Sequence, residues 1–460
     1  MAANRFGPEA VRDDFVPKED YLDPEFAKAE FDNLWPKVWQ IVCRFEEIPK
    51  VGDYVTYDIG NDSIIVIRSG EKETDVKAFH NTCPHRGTQL VDGGSCGHTK
   101  QFVCPFHGWR FAIDGKKTHV PDEKDWGDSL KNLTLSGVKV DFWGGWVWIN
   151  MDPNCQPLAD FLEPVKGMCE KYEFEKLRFA WYKTAIVPAN WKTVVEGFNE
   201  FYHVQTTHAQ MLAYTNDYSI TKEMGRHGWV AYDANSGFPL GRSPRLPPKE
   251  EKDYRQYIFQ FSECLKHDLQ TMQTERAYQA IQRLKTEVSA DAQPAEVLQK
   301  YGEFIYEAAI KDGAGWPADL TPDYMAKSGY DWHVFPNTIF LHGSVESVLW
   351  YRMRPNGTDV NSCIFDIWSL ERFAPGKEPP LKREYYADWE KAEWPKIFIQ
   401  DFTNMPKVQK GMMSRGFKGG LTNPVQERTV SNFHRTLRRF MQDPHADDHI
   451  YKQVPKNAAE

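Results

Sequence analysis

The 460-residue chain reads as an α+β protein, a small all-β domain followed by a larger mixed domain. Three textures predict this. Short runs of alternating apolar and polar residues, punctuated by Gly, Asn and Asp, fill residues 38 to 150. Longer helical runs occupy the middle of the chain, and strand-like runs return between Trp332 and Phe373. With 41% hydrophobic and 26% charged residues, the chain has ample core for two or three globular domains.

Taken in order, residues 18 to 40 predict a helix, because Leu22, Phe26, Phe31, Leu34 and Trp35 recur at helical spacing between Pro17 and Pro36. This segment, 1–37, is expected to pack on the later domain. The β domain is assigned to 38–155, with YVTYDI, SIIVIRS and KAFHNTC as strands, FWGGWVWIN as its closing strand and MDPNCQPL as an exit linker. The mixed domain is assigned to 156–460. Its run FAWYKTAIVPANWKTVVEGFNEFYHVQTTH predicts a strand, then a helix from near Asn190. Residues from about 240 to 330 read as a helical insertion, with Pro-rich SPRLPPKE and the polar run DLQTMQTERAYQAIQRLKTEV. HVFPNTIFLHG, SVLWYRMRP and CIFDIWSLERF predict an antiparallel meander, and a last helix is expected from Lys382 to Met413, interrupted by Pro395 and Pro406.

The net charge of −9 argues against a nucleic-acid partner. No run of eighteen apolar residues and no signal-like start occur, so a cytoplasmic protein without a membrane partner is expected. Eight Cys in so long a chain are no disulfide framework, and Cys43, Cys155, Cys169, Cys264 and Cys363 read as reduced thiols. Arg86, Lys100, Arg110, Lys116 and Lys117 gather in sequence. They read as a solvated face first, and as a docking patch for an acidic electron donor second.

The stretch TCPHRGTQLVDGGSCGHTKQFVCPFHGW, Thr82 to Trp109, carries Cys83 with His85 and Cys104 with His107 beside turn-forming Pro84, Gly87, Pro105 and Gly108. Zinc modules usually pair Cys with Cys and His with His in separate spacings. Mixed pairs suit a Rieske [2Fe–2S] centre, whose two Cys hold one iron and two His the other. Cys96 and His98, between the pairs, read as loop residues. C-P-H-R-G followed by C-P-F-H-G-W closely resembles the Rieske motif of the bacterial Rieske non-haem iron oxygenases, alpha subunits of the aromatic ring-hydroxylating type.

A second cluster follows in Asn190 to His208. Glu200 and His203 are three apart, so they share a face if the segment is helical. His208 is about 140° further round, so both His reach one metal only if the helix ends or distorts between them. Two His and a carboxylate with open positions form the facial triad of non-haem Fe(II) oxygenases. The run NWKTVVEGFNEFYHVQTTH resembles that family's mononuclear iron motif. The resemblance implies His203, His208 and a late Asp as ligands; Asp401, in FIQDFTNMPKVQKG, matches it in placement ahead of Glu393 or Asp366. Glu200 is expected to accept the His203 ring N–H and keep its other oxygen free. The resemblance implies that this oxygen relays electrons from His107 of a neighbouring subunit.

It also implies a helix-grip catalytic domain, an antiparallel sheet wrapped on a long helix, and a homotrimer, with or without a small beta subunit. The expected function is that of a terminal oxygenase that hydroxylates an aromatic or polycyclic substrate with O2 at the mononuclear iron, as in aromatic hydrocarbon catabolism. The chain has no G-x-G-x-x-G between strand and helix, so NADH is expected to act indirectly, through a ferredoxin and/or flavin reductase. The alternative is oxidative demethylation or C–N cleavage of an amine, for which 16 Trp leave material for a cation–π cage. An electron-transfer-only Rieske protein and a structural zinc module are the readings of other classes. Phe198, Phe201, Met211 and Leu212 are expected to line the pocket.

Overall fold

The structure, a computed structural model, describes residues 5–232, 240–249 and 252–446. It begins with β1 (Phe15–Pro17), α1 (Glu19–Leu22) and α2 (Pro24–Asn33). The single helix predicted over 18 to 40 is therefore two short ones. Asp23 turns extended, with ψ 117°, because the ring of Pro24 disfavours helical backbone before it. Contacts divide the chain into two compact units, one of residues 30–161 with 356–358, the other of the remainder.

The smaller unit holds β2 (Gln40–Arg44), β3 (Asp53–Ile59), β4 (Asp62–Arg68), β5 (Val76–His80), β6 (Cys96–His98), β7 (Gln101–Val103), β8 (Arg110–Ala112), β9 (Lys117–His119), β10 (Gly137–Trp143), β11 (Trp146–Asn150) and α3 (Leu158–Phe161). Seven strands form one sheet in the order β2-β11-β10-β5-β4-β3-β6, and β7-β8-β9 form a second. The predicted closing strand FWGGWVWIN is instead a hairpin, turned at Gly144 and Gly145 with φ 64° and 80°. Cys96 and His98 lie on the edge strand β6 rather than in a loop, both exposed. Beneath the ligand stretch, Ile65, Ile67, Phe79, Phe102 and Phe111 pack in one core cluster with Cys83 and Cys104.

The larger unit holds α4 (Val165–Cys169), β12 (Arg178–Val187), α5 (Trp191–Glu196), α6 (Val204–Thr207), β13 (Ser219–Met224), β14 (His227–Tyr232), α7 (Arg255–Glu263), α8 (Glu275–Ile281), α9 (Leu284–Glu287), α10 (Pro294–Asp312), α11 (Pro322–Ser328), β15 (Asp331–Val334), β16 (Thr338–Leu341), β17 (Ser347–Asn356), β18 (Asp359–Glu371), β19 (Arg383–Tyr386), α12 (Lys396–Met412), β20 (Gly419–Leu421) and α13 (Arg428–Gln442). Its eight-stranded sheet runs β13-β14-β15-β16-β17-β18-β12-β19, with β15 to β18 forming the meander. The polar run expected as one helical stretch is interrupted: a π-helical turn after α7 ends at Leu269, Gln270 and Met272 take φ 57° and 60°, and Thr274 caps α8. The last predicted helix is shortened. Residues 383 to 386 form β19 parallel to β12, and α12 starts only after Pro395. α13, which the sequence reading passes over, is the last helix among the described residues.

α13 is fastened by charges. His434 Nδ1 lies 2.7 Å from a carboxylate oxygen of Asp20 and Nε2 2.5 Å from one of Glu196, a setting in which an imidazolium donates to both. Arg438 also reaches Asp20, through Nε at 3.1 Å and through its terminal nitrogen, and the Tyr21 hydroxyl donates to Glu196 at 2.7 Å. Burial pulls His434 down in pKa, but the hydrogen bonds and charges of Asp20 and Glu196 raise it above its ordinary value. Burial would raise Asp20, yet His434 and Arg438 lower it. His434 therefore stabilises fully below about pH 6.5 and loses its contribution as pH rises through its higher folded value. Asp20 contributes above about pH 3.9 and loses its contribution as pH falls. Asp20→Asn leaves buried Arg438 without its carboxylate and His434 with Glu196 alone, and is expected to cost about 3–5 kcal/mol by denaturant titration. Thermal unfolding across pH should show the deficit shrinking on the alkaline side, where His434 deprotonates.

Candidate metal centres

The two Cys–His pairs sit on loops of the same build. The Cys83 N–H donates to Thr88 O at 2.8 Å and Gly87 N–H to Cys83 O at 2.9 Å; the Cys104 N–H donates to Trp109 O at 2.8 Å and Gly108 N–H to Cys104 O at 3.0 Å. Each loop turns back through a glycine of positive φ, 79° at Gly87 and 73° at Gly108, which a residue with a Cβ rarely adopts. The His85 and His107 rings lie 4.5 Å apart, and His85 stacks on Trp109 at 4.8 Å. Burial opposes charge on either sulfur. Backbone N–H groups two and three residues on, at His85 and Arg86 for Cys83 and at Phe106 and His107 for Cys104, favour it, and the balance leaves Cys83 raised and Cys104 lowered. The Nδ1 atoms of His85 and His107 are buried with no hydrogen-bond partner among the described residues. Two thiols and two orphaned imidazole nitrogens suit a mixed-ligand iron–sulfur cluster. Of the basic residues nearby, Lys116 pairs with Asp114 at 3.1 Å and Lys117 with Glu123.

In the larger unit, α5 begins where the Asn190 side chain accepts the Lys192 N–H and stops at Glu196. Glu200 is therefore not on a helix with His203; it lies in the irregular stretch before α6. Its carboxylate does two things there. Oε1 accepts the His203 Nδ1–H at 2.7 Å, and Oε2, expected to be free, accepts the His203 backbone N–H at 3.1 Å, as an N-cap would. His208 closes α6 with φ −116° and ψ 41°, out of helical backbone, and the two rings come to 5.2 Å.

Ligand atoms of His203, His208 and Asp401 all lie within 4.8 Å of one another. Asp401 Oδ1 is 3.0 Å from His208 Nε2 and 3.9 Å from His203 Nε2. The donor set, two imidazole Nε2 atoms and a carboxylate, could hold a divalent iron. Asp366 is elsewhere, paired with Arg352 at 2.6 Å and Thr184 at 2.7 Å. Sequence reading missed Gln400, whose Oε1 accepts the His208 Nδ1–H at 2.9 Å and which exchanges amide bonds with Gln210. The signal for it is an amide directly before Asp401 and another two residues after His208. Burial is the largest single influence on His203 and pulls its pKa down, but the charge and hydrogen bond of Glu200 together with the charge of Asp401 outweigh it and push the ring up to about 9. Burial, together with the charge of Glu200, raises nearby Glu427 to about 7, although the Asn423 N–H works against it.

A cavity of about 450 Å³ opens on these groups, with Glu200, His203, His208 and Asp401 in its wall. Phe198, Phe201 and Met211 line it. Leu212 does not: it is buried at 6% exposure and absent from the wall. Tyr232, Tyr301, Tyr330 and Tyr351 complete an aromatic lining that comes mostly from the sheet and the helical insertion.

Residues 174–443 match the ring hydroxylating alpha subunit catalytic domain, and residues 38–135 match the Rieske [2Fe-2S] domain. The chain belongs to the Rieske non-haem iron oxygenase alpha subunits, a family that carries a Rieske cluster and a mononuclear iron. It is 32% identical over 197 residues to the glycine betaine monooxygenase oxygenase subunit of Pseudomonas aeruginosa, covering 43% of this chain and 45% of that one. It is 35% identical over 198 residues to the carnitine monooxygenase oxygenase subunit of Escherichia coli K12, covering 42% and 52%. The chain thus spans about half the length of these relatives. Its fold is similar to that of a quaternary ammonium Rieske monooxygenase in complex with L-carnitine, with TM-score 0.60, 19% identity and coverage of 96% and 98%. It is also similar to that of naphthalene 1,2-dioxygenase from Rhodococcus sp., with TM-score 0.60, 20% identity and coverage of 96% and 97%. No helix among the described residues is long and apolar enough to cross a membrane.

Replacing Gln400 with Leu removes the acceptor that fixes the His208 ring. The iron affinity of the larger unit should fall about 10–100-fold by metal titration, while the Rieske electron paramagnetic resonance signal stays unchanged. Replacing His107 with Cys should shift or abolish that signal and leave mononuclear iron in place.

Proposed function

We propose that the chain is the terminal oxygenase of a multicomponent Rieske system and that it oxidises a quaternary amine at an N-methyl or other C–N-linked carbon. The observation that carries this is the cavity beside His203, His208 and Asp401, walled by Tyr232, Tyr301, Tyr330 and Tyr351. Aromatic faces attract a cation through their quadrupoles, by about 0.5–2 kcal/mol per contact, and a flat hydrocarbon gains nothing from that charge. This displaces the aromatic or polycyclic substrate expected first. Likeness in fold is equal for the naphthalene and quaternary ammonium enzymes, whereas sequence likeness extends to relatives named for glycine betaine and carnitine.

In this reading Cys83 and Cys104 hold one iron of the cluster and His85 and His107 the other. His203, His208 and Asp401 hold Fe(II), which when bound supplies the redox chemistry of dioxygen. The chain's own residues orient and shield. Glu200 and Gln400 each take a ring Nδ1–H, fixing the tautomers that leave both Nε2 atoms for the metal. The aromatic wall excludes water from the reacting carbon. Glu200 is the electron relay. Each of its oxygens still has lone-pair capacity beyond the bonds to His203, enough to accept a bond from His107 of a neighbouring subunit in a homotrimer. Electrons come from NADH through a separate reductase, with or without a ferredoxin.

Oxidative demethylation consumes one O2, two electrons and two protons per N-methyl, and releases formaldehyde, water and the amine shortened by one methyl. With a surrogate reductase, glycine betaine or choline should drive NADH and oxygen consumption with formaldehyde release, and naphthalene should not; the reverse result refutes the amine substrate. Asp401→Ala should lose mononuclear iron and turnover with the Rieske spectrum intact. Glu200→Gln should keep both metals and lose most coupled turnover, and wild-type rates of cluster reoxidation in that variant would refute the relay.

A further inference from the structure

Among the described residues, four carboxylates line the cavity: Glu200, Asp217, Asp331 and Asp401. Three are accounted for. Glu200 and Asp401 face the two imidazoles, and Asp217 binds Arg245 at 2.5 Å and the Ser243 hydroxyl. Asp331 is different. It is 1% exposed, and neither of its oxygens has a hydrogen-bonding side chain or a cation among the described residues; the one polar group acting on it is the backbone N–H of Trp332, next in the chain. Register makes its position odder still. Val230, Asp331, Leu341 and Leu349 face one another across β14, β15, β16 and β17, so a carboxylate stands in a row of aliphatics. A stable sheet would put Val or Leu there, because an unpaired buried carboxylate costs several kcal/mol.

We propose that Asp331 is the counter-ion for the substrate's ammonium group and makes the site selective for net cationic amines over zwitterions. The inference rests on the amine reading above. Asp331 and the metal-facing Asp401 line the same cavity as Tyr351, and the charges of both act on its phenol. Tyr330 precedes Asp331 in the chain and packs edge-on to Tyr232 at 5.0 Å, which supplies the aromatic walls of a cation site. Among the described residues that line the cavity there is no Lys or Arg. A zwitterion's carboxylate therefore finds no basic side chain, and it meets Asp331 as a like charge. Burial holds the Asp331 carboxyl well above the usual range, as expected where the charge that would offset it is the ligand's.

The test is equilibrium binding to the metal-loaded protein by calorimetry, with three molecules of nearly one size. These are choline, glycine betaine and the neutral carbon isostere of choline, in which a quaternary carbon replaces nitrogen. Choline should bind at least about thirtyfold tighter than the isostere, the weight of a desolvated charge pair, and about tenfold or more tighter than glycine betaine. Asp331→Asn keeps the shape; it should cut the lead of choline over the isostere by about tenfold, down to what the aromatic wall supplies, and leave the isostere unmoved. Equal binding of choline and isostere by the unsubstituted protein, or a uniform loss of all three in Asp331→Asn, would overturn the counter-ion. Tighter binding of glycine betaine would overturn the selectivity and leave the amine reading standing. Naphthalene binding with none of the three would overturn both.

Discussion

Five residues separate His203 from His208, and on a continuous α-helix that spacing turns the two rings about 140° apart. One metal can take both only if the helix is broken, and the chain from α5 to α6 makes that break. α5 stops at Glu196, the chain runs irregularly to His203, and α6 lasts four residues before His208 leaves helical backbone. Breaking a helix orphans backbone N–H groups. Glu200 takes the one at His203 with one oxygen and the His203 ring with the other, so capping and ligand orientation are the same interaction. α12 completes the arrangement from two points. Gln409 accepts the Asn190 N–H that starts α5, while Gln400 and Asp401, two turns earlier, face His208. The Asp20–His434–Glu196 chain then ties the end of α5 to α13 and to the N-terminal segment.

The two candidate centres solve the same problem differently. In the smaller unit the donors are local in sequence, and a glycine of positive φ folds each loop so that backbone N–H groups surround its sulfur. In the larger unit the third donor arrives 193 residues after His208, as the difference of 401 and 208, and every ring is held by a side chain. A local site survives changes elsewhere in the fold; a site built from α6 and α12 depends on how those helices pack.

That difference explains what the sequence made legible. Cys83, His85, Cys104 and His107 stand out because their spacing and flanking Pro and Gly encode the loops directly. His203 and His208 were readable as a conflict with helical geometry. Asp401 rested on resemblance, because spacing says nothing about partners that tertiary packing brings together. Gln400 was invisible for the same reason. Secondary structure failed where one short-range cue was read alone: Trp143 to Trp146 looked like continuous strand until two glycines turned it, and Lys382 to Pro395 had helical polarity but pairs beside β12 as β19. α13 carried a readable cue that was passed over: Val430, Phe433, Leu437, Phe440 and Met441 recur at helical spacing, beside buried Thr429, Ser431, Asn432, His434, Thr436 and Arg438.

Asp331, like Gln400, carried no such cue. In the run SGYDWHV it looks like an ordinary polar residue at the start of a strand. Only the register shows it standing between Val230 and Leu341, and only the cavity gives a reason for it. Divalent iron at His203 and His208 would balance the charges of Asp401 and Glu200, and Arg245 already balances Asp217. Among the described residues of the wall, Asp331 alone is then left without an offsetting cation in this phenol-lined space. In so low a dielectric an unbalanced charge is either neutralised by a proton or met by a ligand. The metal centre fixes where reaction occurs, and this residual charge decides which small molecule is held against it.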